Sequence, residues 1–145
     1  MGKSVFDTAK YILRSQGRIT TMKLQKLCYY SQAWSLAWDE VPLFDEDFQA
    51  WANGPVCPEL FYHLKGQFSV QESSMTKGDI SNLSSSEKDT IDKVLKEYGD
   101  KSPQWLSDLT HLENPWKDAR QGIPSGDRCS NIIEKERIQE YYAGL

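Results

Sequence analysis

Three cysteines and two histidines are all that this chain of 145 residues offers in the way of soft metal ligands and ready nucleophiles. Cys28, Cys57 and Cys129 are odd in number, widely spaced and free of any CxxC. That excludes a disulfide framework and a structural zinc site, and it fits a reducing cytoplasm. His63 and His111 stand without HExxH or any carboxylate cluster, so no metal is expected. There is no GxSxG and no GxxxxGK, and no cofactor is expected. A long apolar run is missing too, as is the apolar segment of a signal peptide, so no membrane partner is expected. Phe6 stands where a lipidation signal after Gly2 needs Ser or Thr, which excludes a myristoyl anchor. An excess of base is likewise absent: the net charge is −4, against general binding of a phosphate backbone.

What is present is aromatic surface, at 12% of residues, with enough chain for one ordinary domain spanning residues 1–145. Ser4 with Asp7 resembles a helix start, followed by Val5, Ala9, Ile12 and Leu13 on one face and Gly17 as its stop. Thr20 or Thr21 then caps a longer helix reaching about Trp38. Beyond Leu27 that helix is apolar or aromatic nearly all round, which predicts a buried central element with Leu27 and Trp34 in the core. Trp38 and Trp105 are expected in the core as well.

Pro42–Asp47 reads as a turn, and Phe48, Ala50 and Ala52 alternate with Gln49, Trp51 and Asn53 as a short strand does. Asn53-Gly54-Pro55 breaks the strand, and Pro58 opens a short helix. The serine-rich stretch from Ser69 to Ser86 is loop, with a marginal strand near Ile80. Further helices start at Ser84 with its capping partner Glu87, at Ser102-Pro103 and at Asn114-Pro115, and a last one carries Ile138, Tyr141 and Tyr142. The sum is about seven helices: a mainly α (α+β) domain around a buried central helix, with at most a small β-hairpin.

Two clusters hold the rarer residue types, WANGPVCPEL from Trp51 to Leu60 and THLENPWKDAR from Thr110 to Arg120. Trp, Tyr and Arg are the side chains that most often anchor protein–protein contacts. Rigid aromatics and prolines in two distant loops are most simply halves of one site, so the clusters are expected to meet. Trp51, Pro55, Glu59, Tyr62, His111, Trp116 and Arg120 are the candidate partner-binding residues. Arg120 is the tie between them, through a carbonyl contact or an ion pair, with Glu59 as one candidate. The plain alternative for Trp51 and Trp116 is core, and for His111 a hydrogen-bonded structural role beside the Pro115 turn. Asp45 and Asp47, in an acidic stretch running from Asp39, would steer a basic partner.

Catalysis has two thin candidates: His111 with Glu113 as an acid–base pair, and Cys57 at a helix N-terminus, where a thiol pKa can fall. No third group orients either one, so the chain is not expected to be an enzyme. A DNA-binding or regulatory phage protein is the alternative, with two helices flanking Gly17 and with Lys23 and Lys26 meeting the duplex.

Lys23–Trp38, Pro42–Lys65 and Thr110–Arg120 together resemble the Panacea domain, a family that includes SocA-like antitoxins and phage-associated GepA proteins. The most specific pieces are AWANGPV at Ala50–Val56 and the TH…PW…AR pattern, and the likeness extends over nearly the whole chain. The resemblance implies a mainly α antitoxin that neutralises a co-encoded toxin by direct binding, in the cytoplasm. It also implies an adaptor that delivers the toxin to the ClpXP protease. Family members go with many unrelated toxins, so the identity of the toxin does not carry over. Some members carry an appended DNA-binding domain for which this chain has no room, so the resemblance does not carry autoregulation of transcription over to it.

Overall fold

A computed structural model of the protein describes residues 3–145. The reading of Gly2 lies outside the described residues. Helix α1 (Val5–Gln16) is opened as its sequence suggests, Ser4 N donating to the Asp7 carboxylate at 3.0 Å. Glu46 reaches back to accept from the Val5 amide at 3.0 Å, which occupies one of the free N–H groups of that helix end. Gly17 takes φ 76° and lets the chain leave.

Helix α2 (Thr21–Asp39) starts at Thr20, whose hydroxyl accepts from the Lys23 amide at 3.0 Å. Every residue from Leu24 to Ala33 is buried. Around it lie α1, α3 (Pro58–His63), α4 (Ser85–Tyr98), α5 (Pro103–Leu112) and α7 (Lys135–Ala143). A helix buried on so many sides must satisfy its polar side chains internally, and α2 does so by stitching loops. Gln32 accepts from the Leu43 amide at 2.7 Å and donates to the Phe44 carbonyl at 2.9 Å. Gln25 holds Cys57 in the same two-handed way, at 2.8 and 3.1 Å.

The β structure exceeds the expected hairpin. β2 (Phe48–Trp51) pairs antiparallel with β3 (Gly54–Val56) on one side and with β5 (Ile132–Ile133) on the other. A second antiparallel pair joins β1 (Ile19–Thr20) to β4 (Ser69–Val70). Strands of two residues are too short to show a period-two pattern, which hides them in the sequence. The strand expected near Ile80 is instead a 3₁₀ turn, Ile80–Asn82, with Asp79 accepting from the Ser81 amide at 2.9 Å. Helix α6 (Asn114–Ala119) follows α5 after the single residue Glu113.

Three tryptophans depart from the expected core. Trp34 is half-buried, its indole donating to the Tyr98 hydroxyl at 3.0 Å. Trp38 is 50% exposed and Trp105 44% exposed. Both lie on the helical faces that periodicity assigns inward, but Lys93 stands 5.9 Å over the Trp38 ring and Lys101 5.1 Å over that of Trp105. A ring with a cation on one face and solvent at its edge can stay at the surface.

A candidate protein-binding site at the Trp51 hairpin

The two sequence clusters meet, and they meet through backbone oxygens. The carbonyls of the β2–β3 turn point at α5 and α6, and each meets a polar side-chain atom. Arg120 donates to the Ala50 carbonyl at 2.8 Å, Trp116 to that of Trp51 at 2.8 Å, and a His111 ring nitrogen lies 2.9 Å from that of Ala52. Ser107 donates to the Asn53 carbonyl, and Lys26 of α2 to the Pro55 carbonyl at 3.2 Å. Carbonyls without a strand partner on one edge would otherwise be buried unpaired, at a cost of about 1–3 kcal/mol each.

Gly54 makes the close approach possible. It takes φ 120°, and a Cβ there would stand 2.6 Å from Cε of Lys26 and 2.9 Å from the Thr110 hydroxyl. Lys26 is 1% exposed and has no carboxylate partner among the described residues. Burial without a counter-charge pushes its amine down to about 7.

Arg120 is 2% exposed and also lacks a carboxylate. Its guanidinium lies 4.8 Å over the Trp116 ring, and it donates at 2.6 Å to the carbonyls of Pro124 and Asp127. One side chain thus ties β2 to the loop after α6. The tie is of the carbonyl kind; Glu59 is exposed on α3 and meets instead the Cys57 thiol at 3.5 Å.

Glu113 and His111 do not form an acid–base pair. His111 faces the carbonyls of Ala52 and Ser107, whereas Glu113 accepts from Tyr30 at 2.7 Å and Tyr142 at 2.6 Å. Desolvation lifts the Glu113 carboxyl above the usual range, the two tyrosine hydroxyls opposing this. The cage joins α2, the α5–α6 junction and α7. At Cys57, burial overrides the helix N-terminus and pushes the thiol up to about 12.

On its solvent side the hairpin borders a cleft of about 600 Å³. Trp51 stands edge-on to Phe61 with ring centroids 5.0 Å apart, and Phe61 to Tyr62 at 5.3 Å. Val56, Leu60, Leu64 and Cys129 line the cleft beside them, with Lys26, Lys65 and Arg128 as its charged residues. Of the sequence candidates, Trp51 and Tyr62 border this space. Pro55, Trp116 and Arg120 are buried behind it, His111 is half-buried with them, and Glu59 lies outside the lining. Asp45 is exposed, whereas Asp47 pairs with Lys135 at 2.7 Å. The cations of the DNA-binding alternative are committed elsewhere: Lys26 is buried, and Lys23 donates to the Gly99 carbonyl at 2.7 Å.

Sequence reasoning missed Phe61, Lys65, Arg128 and the buried role of Lys26. One signal was available for the last: Lys26 is the only charged residue between Lys23 and Asp39, directly before the run that is apolar nearly all round.

The model of the family "Antitoxin SocA-like, Panacea domain" matches residues 24–117, which is more than half of the chain. The chain belongs to this SocA-like antitoxin family. No curated protein matches it, and no solved structure does. The Panacea match is narrower than the likeness expected from the sequence. It begins where the buried run of α2 begins and ends one residue past Trp116. The hairpin, its donors on α5 and the first of its α6 donors fall within the Panacea match. Arg120, β5 and α7 fall outside it. SocA-like antitoxins are not a known enzyme family. Among the described residues no helix is long and apolar enough to cross a membrane.

Proposed function

We propose that this protein is an antitoxin that neutralises a co-encoded toxin by direct binding, and that it does so on the solvent side of the Trp51 hairpin. The observation that carries the reading is the Panacea match over residues 24–117, which includes the whole hairpin. The geometry supports the choice of face. Four donors and the His111 ring hold the hairpin backbone from behind, so Trp51 is presented by a segment with little left to order on binding. Phe61 and Tyr62, 38% and 63% exposed, extend the aromatic rim. In this reading His111, Trp116 and Arg120 are positioning residues, while Trp51 and Tyr62 touch the partner.

The acidic segment has a secondary part. Lys135 pairs with Asp47, whereas Asp39, Glu40, Asp45 and Glu46 meet no cation among the described residues and keep their charge to act on a partner at a distance. Such charges raise association rates more than final affinity.

Co-expression tests the function. The reading frame beside this one, toxic on its own, should be tolerated when the two are expressed together, and the two proteins should co-purify unmodified in fixed stoichiometry. A neighbour that is harmless alone, or that is relieved without forming a complex, would sink the proposal. Delivery to ClpXP is a separable step: the toxin's half-life should shorten with this protein present and recover in cells lacking ClpXP.

A further inference from the structure

We infer that the cleft beside the Trp51 hairpin receives a segment of a partner protein in which an aromatic or large aliphatic side chain stands next to a carboxylate. The inference deepens the antitoxin reading, on which it rests only for the partner's identity. Its basis is the unlike character of the cleft and of the chain. The protein as a whole carries a net charge of −4. Yet the exposed charged residues that line the cleft are Lys65 and Arg128, and no Asp or Glu lines it. A cleft lined by one sign of charge raises the local concentration of groups of the other sign.

The walls supply the apolar half of the specification. Trp51 and Phe61 present an edge-to-face pair that an inserted ring or branched side chain can extend. The rim supplies the partner for the anionic half: Lys65 lies 5.7 Å over the Tyr62 ring, and Arg128 is exposed on the loop after α6. That loop is fixed, because Arg120 holds the Pro124 and Asp127 carbonyls on either side of Gly126. An arginine can meet a carboxylate through two parallel N–H donors.

A protein segment fits better than a small molecule. Large rings stand exposed at and beside the cleft: Tyr62 is 63% exposed, and Phe68, which directly follows the lining residue Gln67, is 82% exposed. Exposed apolar surface of that kind marks a protein contact.

Selection from a random peptide display library on the full chain, with counter-selection on Lys65→Glu/Arg128→Glu, tests this directly. Both residues are exposed, so the double variant should fold normally. Recovered peptides should share an aromatic or aliphatic residue beside Asp, Glu or a free C-terminal carboxylate. Their affinity should fall about tenfold or more in the double variant and in Tyr62→Ala, and should be unchanged in Asp45→Lys. A lysine- or arginine-rich consensus, or no enrichment that depends on the two bases, overturns the inference. So does indole-3-acetate binding with no peptide selected, which would assign the cleft to a small carboxylate. If the neighbour-encoded protein binds the double variant as tightly as the wild type, the inference falls while the antitoxin function stands. If peptides are selected as described but no neighbour binds, the antitoxin function falls and the cleft's chemistry stands.

Discussion

Residues 50–56 and residues 107–120 meet along one seam and contribute opposite parts of themselves to it. The hairpin turns its carbonyl oxygens inward and leaves Trp51 half-buried at the edge of a cleft. The α5–α6 segment spends its side chains on those oxygens, and Trp116 is left 3% exposed and Arg120 2%. Residue types that read alike in the sequence, a tryptophan beside a proline in each cluster, therefore do different work. Rarity of residue type locates a seam. Which half keeps its side chains for the solvent side is decided by which half gives its backbone to the other.

Substitutions can separate the two halves, and the largest effect belongs to the gripping side. Arg120→Met keeps the aliphatic bulk and removes the donors to Ala50, Pro124 and Asp127. With three carbonyls orphaned, stability should fall by about 3 kcal/mol or more in urea denaturation. Loss of binding should accompany it, because β2 and the loop bearing Arg128 are released together. An Arg120→Met protein of wild-type stability would mean that the seam is held some other way.

Lys26→Met should move stability in the other direction. The amine of Lys26 sits at about 7 in the fold and 10.5 when unfolded, so between those values the unfolded chain binds more protons. Wild-type stability should therefore rise with pH across that window. The variant should be more stable by about 2 kcal/mol near pH 6, after allowing for the lost bond to Pro55. Its advantage should shrink as pH climbs toward 10.5. Parallel pH profiles for the two proteins would contradict the buried, uncompensated amine.

A smaller shift is expected at Glu113. Its carboxyl pKa is raised in the fold, so its favourable contribution is present below the ordinary value of 4.5 and is lost as pH rises through the raised one. Glu113→Gln should then stabilise by less than about 1 kcal/mol at pH 7 and make no difference in acid, read as the change in thermal midpoint at each pH. Least affected in stability is Tyr62→Ala, at within about 0.5 kcal/mol, since the side chain is mostly in water. The same change should speed dissociation of the toxin. A Tyr62→Ala protein that binds normally would take the aromatic rim out of the interface.

Much of this was legible before the fold was seen. Caps at Thr20, Ser84 and Ser102, with prolines at helix starts, announce themselves locally, because each acts on a backbone group within a few residues. The meeting of the clusters was legible as well, from the improbability of two rigid aromatic loops serving unrelated ends. The manner of meeting was not. A carbonyl acceptor has no residue type, so nothing in AWANGPV marks Ala50 or Ala52 as partners of Arg120 and His111. Lys26 was misread for a related reason: a cation is taken to be solvated unless something says otherwise. Here the sign was only the apolar character of its neighbours on α2. Trp38 and Trp105 show the reverse error, since helical period assigns a face but does not say whether another element covers it.

The grip on main-chain oxygens also bears on how such a protein can change its target. Carbonyls at positions 50–53 are present whatever side chains those positions carry. Replacements at Gln49, Trp51, Ala52 or Asn53 that tolerate the turn leave the clamp its acceptors, while altering what the cleft and its edge offer. Evolution could then redraw the recognition surface one residue at a time without first loosening the frame that holds it. The hairpin is in this sense an interchangeable front on a fixed mount.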